Sequence, residues 1–201
     1  AYTTLLHRLS GQDELIIGIP AAGRGMPDSE RVVGYCAHLL PIRHTLAGDP
    51  SFSVLLQAMR ATLLTAYEHQ DYPFARLLNK LNVVRDLSLA PVISSTFNLT
   101  QQPTLPPFPG LTATLGPRPT SFVDHELSVN VVEHNGELLI DFEYNRDLFE
   151  PATVARMAGH FTTLLDAIVY NPTQAVLALP LLSIAERQQL LVTWNATDLP
   201  F

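Results

Sequence analysis

Seven histidines, a single cysteine and an arginine set between glycines are the side chains of this 201-residue chain with the most chemistry to offer. His69, His134 and His160 each stand alone, and a lone histidine beside apolar residues is most often structural. No two histidines have the three- or four-residue spacing by which a helix presents two imidazoles to one metal, so no metal site is expected. Cys36 by itself can build neither a zinc cluster nor a disulfide. The Gly-x-Ser-x-Gly elbow of hydrolases is missing, as is a glycine-rich phosphate loop ending in Lys and Ser or Thr. Arg24, between Gly23 and Gly25 in a tight turn, is the more telling residue. A cation held between two buried strands needs an anion. Asp71 or Asp86 of this chain can serve, and so can a carboxylate outside it.

The elements that must position these residues follow from periodicity. Leu5, Leu6 and Leu9 have helical spacing over residues 1–9, with Gly11 as the stop and no N-cap in front. That uncapped start is expected of a piece of a longer chain, and equally of a disordered or trimmed start. Residues 14–20 and 32–42 are β-branched apolar runs joined by the Arg24 turn, and read as strands. Phe52, Leu55, Leu56, Met59, Leu63, Leu64 and Tyr67 mark a long amphipathic helix, with Asp49 as N-cap and Pro50 as its first residue. Asp71 is placed to cap a shorter helix bearing Phe74, Leu77, Leu78 and Leu81. A strand over 91–99 comes next, and then a proline-rich connection over 101–120 that excludes regular helix and central strand. Residues 126–133 and 137–145 alternate around Asn135-Gly136, a hairpin signal. Pro151 opens a helix that stops at Asn171-Pro172, and Ser183 with Glu186 forms a capping box for the last one, ending near Trp194. Strands interleaved with helices in this uneven order imply an α/β (α+β type) lobe, a mixed β-sheet packed with helices.

Composition narrows the classes. With 47 % apolar residues the chain can bury one sizeable core. A net charge of −7 without a basic stripe argues against nucleic acid. No apolar run approaches the roughly 18 to 20 residues of a membrane span. One cysteine suits a reducing, cytoplasmic setting.

The segments Ile17 to Arg24, Val33 to Arg43, His69 to Phe74 and Arg85 to Pro91, taken together and in this order, resemble the condensation domains of nonribosomal peptide synthetases, a likeness that extends over essentially the whole chain. Ile17-Gly18-Ile19-Pro20-Ala21-Ala22-Gly23-Arg24 is similar to one family motif, and Val33-Gly34-Tyr35 through Leu40-Pro41-Ile42-Arg43 to the next strand motif. His69-Gln70-Asp71-Tyr72-Pro73-Phe74 matches a family segment residue for residue, and Arg85-Asp86-Leu87-Ser88 with Pro91 follows it in outline. Phe97-Asn98 ends the expected strand, and Phe142-Glu143-Tyr144-Asn145 continues the likeness. His38 stands where many relatives have Asn, Leu89 where Arg is frequent, and Ala75 and Ala90 where larger or charged residues are common.

The resemblance implies a chloramphenicol-acetyltransferase-like lobe. The family's His-His-x-x-x-Asp-Gly motif lies on the N-terminal lobe, and none of the seven histidines here has Asp four residues later. The chain is therefore expected to be the C-terminal lobe alone, over residues 1–182, with 183–201 closing the domain and opening the linker to an adenylation domain. The implied reaction joins an acyl or peptidyl thioester to an aminoacyl acceptor as an amide, each substrate carried on the 4'-phosphopantetheine arm of a carrier protein. No cofactor would be bound directly, and the fragment alone would be inactive. By the same likeness Arg24 pairs with the motif's Asp on the N-terminal lobe, and Asn98 and His38 face the substrate channel. The proline-rich connection would cross to the other lobe. The His69–Phe74 segment, Arg85 and Asp86 would be structural, with Phe74 anchored in the core. Two alternatives share the scaffold: a noncatalytic lobe that recruits carrier proteins or tailoring enzymes, and an epimerisation-domain lobe.

Overall fold

The computed structural model describes residues 1–24, 28–81, 92–102, 108–113 and 123–197. Its elements are α1 (Tyr2–Ser10), β1 (Glu14–Ala21), β2 (His38–Thr45), α2 (Phe52–Glu68), α3 (Phe74–Leu81), β3 (Ser95–Gln101), β4 (Leu127–His134), β5 (Glu137–Tyr144), α4 (Pro151–Tyr170) and α5 (Ile184–Gln188). The strands form one sheet in the order β2-β1-β3-β4-β5. β1, β3 and β4 pair in parallel and β5 returns antiparallel, the mixed sheet expected from the interleaved pattern.

The chain divides into two compact units whose boundaries run through β1 and β2. The first comprises residues 1–16, 42–68 and 150–201. Gly11 closes α1 in the left-handed conformation, φ 70°, its N–H returning to the His7 carbonyl. Tyr2 meets the ring of Phe161 on α4 edge to face, centroids 6.2 Å apart. Leu5 and Leu164 are wholly buried in this core. Arg8 Nη1 donates to the carbonyls of Val176, Leu177 and Leu179, tying down the segment after α4.

Asp49 also works on that segment. Its carboxylate accepts the Leu177 N–H at 2.8 Å instead of capping α2, and its own φ is 49°. The helix accordingly begins at Phe52 and not at Pro50, whose carbonyl accepts the Val176 N–H. The Ser183 capping box is as expected: Glu186 N–H donates to Ser183 Oγ, and Glu186 Oε2 accepts the Ser183 N–H. These Ser183 bonds hold the Glu186 carboxyl below the usual carboxylate range. His160 Nε2 lies 3.2 Å from the other Glu186 oxygen and joins α4 to the start of α5.

His44, buried on β2 with Nε2 unpartnered among the described residues, gives this unit a pH dependence. Burial pushes its imidazole below the ordinary value of 6.5, so the folded state favours the neutral ring while the unfolded chain takes up a proton near that value. Stability is therefore complete above about pH 6.5 and declines as the pH falls below it. Thermal unfolding followed between pH 7.5 and 5.5 is expected to show a larger drop for the native protein than for His44→Gln. Equal drops would remove His44 as the cause.

The second unit comprises residues 17–41 and 69–149. Its core is built from Ile17, Leu40, Ile93, Leu127, Val129 and Val131. β4 and β5 are joined at Asn135-Gly136, both with positive φ (52° and 81°), the backbone that a two-residue hairpin of the primed type requires. β2 begins six residues later than the apolar run at Val32 suggests, because residues 32–37 find no ladder partner among the described residues. Val33 and Tyr35 there are 102 % and 94 % exposed. β3 likewise starts at Ser95. Of the proline-rich connection, 103–107 and 114–120 lie outside the described residues, and Leu111 N–H turns back to the Phe108 carbonyl within 108–113.

Candidate functional site

Every described candidate side chain lies in the second unit: Arg24, His38, the His69–Phe74 segment and Asn98. β1 and β3 run in register with Gly18 opposite Thr96. Continuing that register sets Asn98 level with Pro20, beside the end of β1, and the chain leaves β1 for Arg24 at this same end of the sheet.

Gly23 decides how the chain leaves. Its φ is +63°, and a Cβ on it would overlap the carbonyl of Cys36 and come within 3.2 Å of His38 Nδ1. Only glycine allows both the left-handed turn and this approach. The turn thereby brings the Gly23 backbone, one residue before Arg24, beside His38, the first residue of β2. His38 is half-buried, with Nε2 unpartnered among the described residues.

Arg24 itself is exposed, which corrects the expectation of a buried cation in need of a counter-charge. Its Nη1 donates to the carbonyls of Ser29 at 2.6 Å and Val32 at 3.0 Å, and the Ser29 hydroxyl donates back to the Arg24 carbonyl at 2.9 Å. No ion pair joins it to Asp71 or to any other carboxylate among the described residues, and Asp86 lies outside them. Both bonds come from one nitrogen. Nε and Nη2, the side-on fork that a carboxylate grips with two parallel bonds, are not used among the described residues.

The His69–Phe74 corner is a turn, closed by Tyr72 N–H on the His69 carbonyl, after which Arg76 and Leu77 N–H share the Pro73 carbonyl. Asp71 makes no capping bond among the described residues, so the expected cap gives way to this carbonyl-led start of α3. Phe74 is half-buried and not anchored in a core, since α3 presents no fully buried residue. Lys80 Nζ stands 5.5 Å above the Tyr72 ring, fastening the corner from the far end of α3. Arg85 and Asp86 lie outside the described residues.

Asn98 belongs to a polar row that sequence reasoning missed. On paired strands, residues in register share a face. Thr96 pairs with Ser128 and Asn98 with Asn130, and Asn130 in turn pairs with Asp141 on β5. Thr96 Oγ1 donates to Ser128 Oγ at 2.8 Å with both residues buried, and Asn98 Nδ2 reaches Asn130 Oδ1 at 3.5 Å with both half-buried. The opposite face carries Leu127, Val129 and Val131 toward the core. The signal was present as matching polar residues two apart, Thr96/Asn98 and Ser128/Asn130, but nothing local states that the two strands lie side by side.

Comparison with known proteins places these features in context. The family model described as condensation domain matches residues 1–191. Gramicidin S synthase 2 of Brevibacillus brevis is 38 % identical over 206 residues, an alignment that takes in 98 % of this chain and 4 % of that protein. The crystal structure of the X-domain from teicoplanin biosynthesis superposes with a TM-score of 0.80 at 22 % identity, covering 89 % of this chain and 42 % of that one. A four-domain nonribosomal peptide synthetase bound to AMP and glycine gives 0.80 at 20 %, covering 92 % and 15 %. At such identities the two structures speak for the fold. No helix among the described residues is long and apolar enough to cross a membrane.

Proposed function

Because this chain belongs to the condensation-domain family, we propose that it is the C-terminal lobe of a domain that joins a carrier-bound acyl or peptidyl thioester to a carrier-bound aminoacyl group as an amide. The observation that carries the reading is the family match over residues 1–191. Residues 1–182 would form the lobe and 183–201 the start of the linker to an adenylation domain. The chain spans 4 % of its gramicidin synthase relative and 42 % of the solved X-domain, so the rest of the site is assigned to the N-terminal lobe of the same domain.

The reaction needs the acceptor amine held against the donor carbonyl and its proton taken as the tetrahedral intermediate forms. That proton transfer is assigned to the histidine of the N-terminal lobe. This lobe contributes position. Arg24, steadied through Nη1 on the carbonyls of Ser29 and Val32, keeps Nε and Nη2 to grip the Asp of the histidine motif, fixing the loop that presents the base. Asn98 and His38 face the substrate channel. The 4'-phosphopantetheine arms arrive on donor and acceptor carrier proteins, and the setting is cytoplasmic.

The test is transfer between carriers by the parent polypeptide. With donor and acceptor carriers loaded, mass spectrometry of the acceptor is expected to show the amide-joined product, and this chain alone is expected to yield none. A parent that binds both loaded carriers yet forms no amide would favour a recruitment lobe instead. A parent that inverts the α-carbon of a carrier-bound residue without joining two would favour epimerisation.

A further inference from the structure

We propose that Asn130 is a positioning and recognition residue which, paired with Asn98, reads one secondary amide of the thioester-bound substrate. The proposal rests on the functional reading above, in which Asn98 faces the channel, and Asn130 is its in-register neighbour on β4. Along the polar row the hydrogen-bonding capacity changes step by step. Thr96 and Ser128 are buried, and Thr96 Oγ1 donates to Ser128 Oγ at 2.8 Å, so burial closes this step to a ligand. One step on, Asn98 and Asn130 are half-buried and share a single long contact of 3.5 Å.

An asparagine amide has two N–H donors and a carbonyl with two acceptor positions. Two such amides joined by one bond keep at least one carbonyl and several N–H groups, whichever of them donates. The pair therefore presents a donor and an acceptor side by side. This complements the N–H and C=O of a secondary amide lying across β3 and β4. Asp141, opposite Asn130 on β5 and exposed, sets a negative charge at the edge of the step. That charge disfavours a phosphate or carboxylate occupant and leaves a neutral amide as the better fit. Such an amide comes either from the pantetheine arm or from the peptide being extended.

In the parent protein, apparent KM and kcat are measured with S-pantetheine and S-ethyl thioesters of one amino acid, and with S-ethyl thioesters of an amino acid and a dipeptide. Asn130→Leu is expected to raise KM about 5- to 10-fold for whichever thioester carries the recognised amide, the scale of one such hydrogen bond. kcat and the amide-free thioester are expected to stay nearly unchanged. Sensitivity confined to pantetheine identifies the arm; sensitivity confined to the dipeptide identifies the peptide. Asn130→Asp keeps the oxygen that accepts from Asn98 but loses the donor, so it is expected to raise KM as Leu does. If Asn130 only braced Asn98, Asp would behave like the native residue, and that result overturns the proposal. So does equal impairment on every thioester. A native parent without amide-forming activity would count against the functional reading, and calorimetric binding of pantetheine and of N-acetyl-dipeptide amide to native and Asn130→Leu protein then decides the amide-reading claim separately. It is overturned if neither is weakened in the variant.

Discussion

Arg24→Ala in the parent domain is expected to lower amide turnover about 100-fold, the effect of letting a reacting group drift by about an ångström, while KM for the loaded carriers changes little. The arginine touches no reacting atom in this account. It holds the Ser29–Val32 loop through Nη1 and leaves Nε and Nη2 unused among the described residues, the fork that the proposed function assigns to a carboxylate on the other lobe. Arg24→Lys is expected to rescue poorly, because an ammonium offers a point charge where two parallel bonds are needed. The loop bonds are exposed, so the unfolding temperature should move by only a degree or two. Steady-state kinetics beside thermal unfolding checks both halves; stability and turnover both intact would remove Arg24 from the mechanism.

Gly23→Ala is expected to have the larger effect on stability. Alanine at φ +63° carries the left-handed penalty of about 1 to 2 kcal/mol. Its Cβ also meets the Cys36 carbonyl, backbone that cannot rotate aside, and overpacking of this kind adds about 1 to 3 kcal/mol. The strain falls between the Arg24 turn and His38, so turnover should collapse along with the melting temperature. Gly18→Ala offers a contrast. There the new methyl meets the Ile93 side chain at 2.7 Å, where movement of a side chain can relieve part of the cost. Urea unfolding of the two variants is expected to rank Gly23→Ala as the more damaging, and the reverse order would contradict the role given to the turn.

Sequence was a good guide where the determinant is local. Gly11, Asn135-Gly136, Pro151 and the Ser183–Glu186 box each act within a few residues, and each sits where its chemistry placed it. It misled where the partner is distant. Asp49 has the right type for a cap, yet Leu177, far along the chain, takes its carboxylate. Val32, Val33 and Tyr35 have strand propensity but no strand to pair with among the described residues, and they stay exposed. Arg24 was expected to be buried from the character of its flanks, and the glycine turn carries it out to solvent. The expectation that Asn98 faces a channel came only from the family likeness. Its in-register neighbour Asn130 was not legible at all, since parallel pairing across 32 residues leaves no local mark.

The central claim is that this lobe is one wall of an amide-forming site completed by a second lobe. Carrier-to-carrier transfer compared among the native parent, the parent carrying Arg24→Ala and this chain alone tests it most directly. The account predicts the amide product from the native parent, a severe loss with the variant and none from the lobe by itself. Amide formation by the lobe alone, or a native parent that holds both loaded carriers and never joins their substrates, would contradict it.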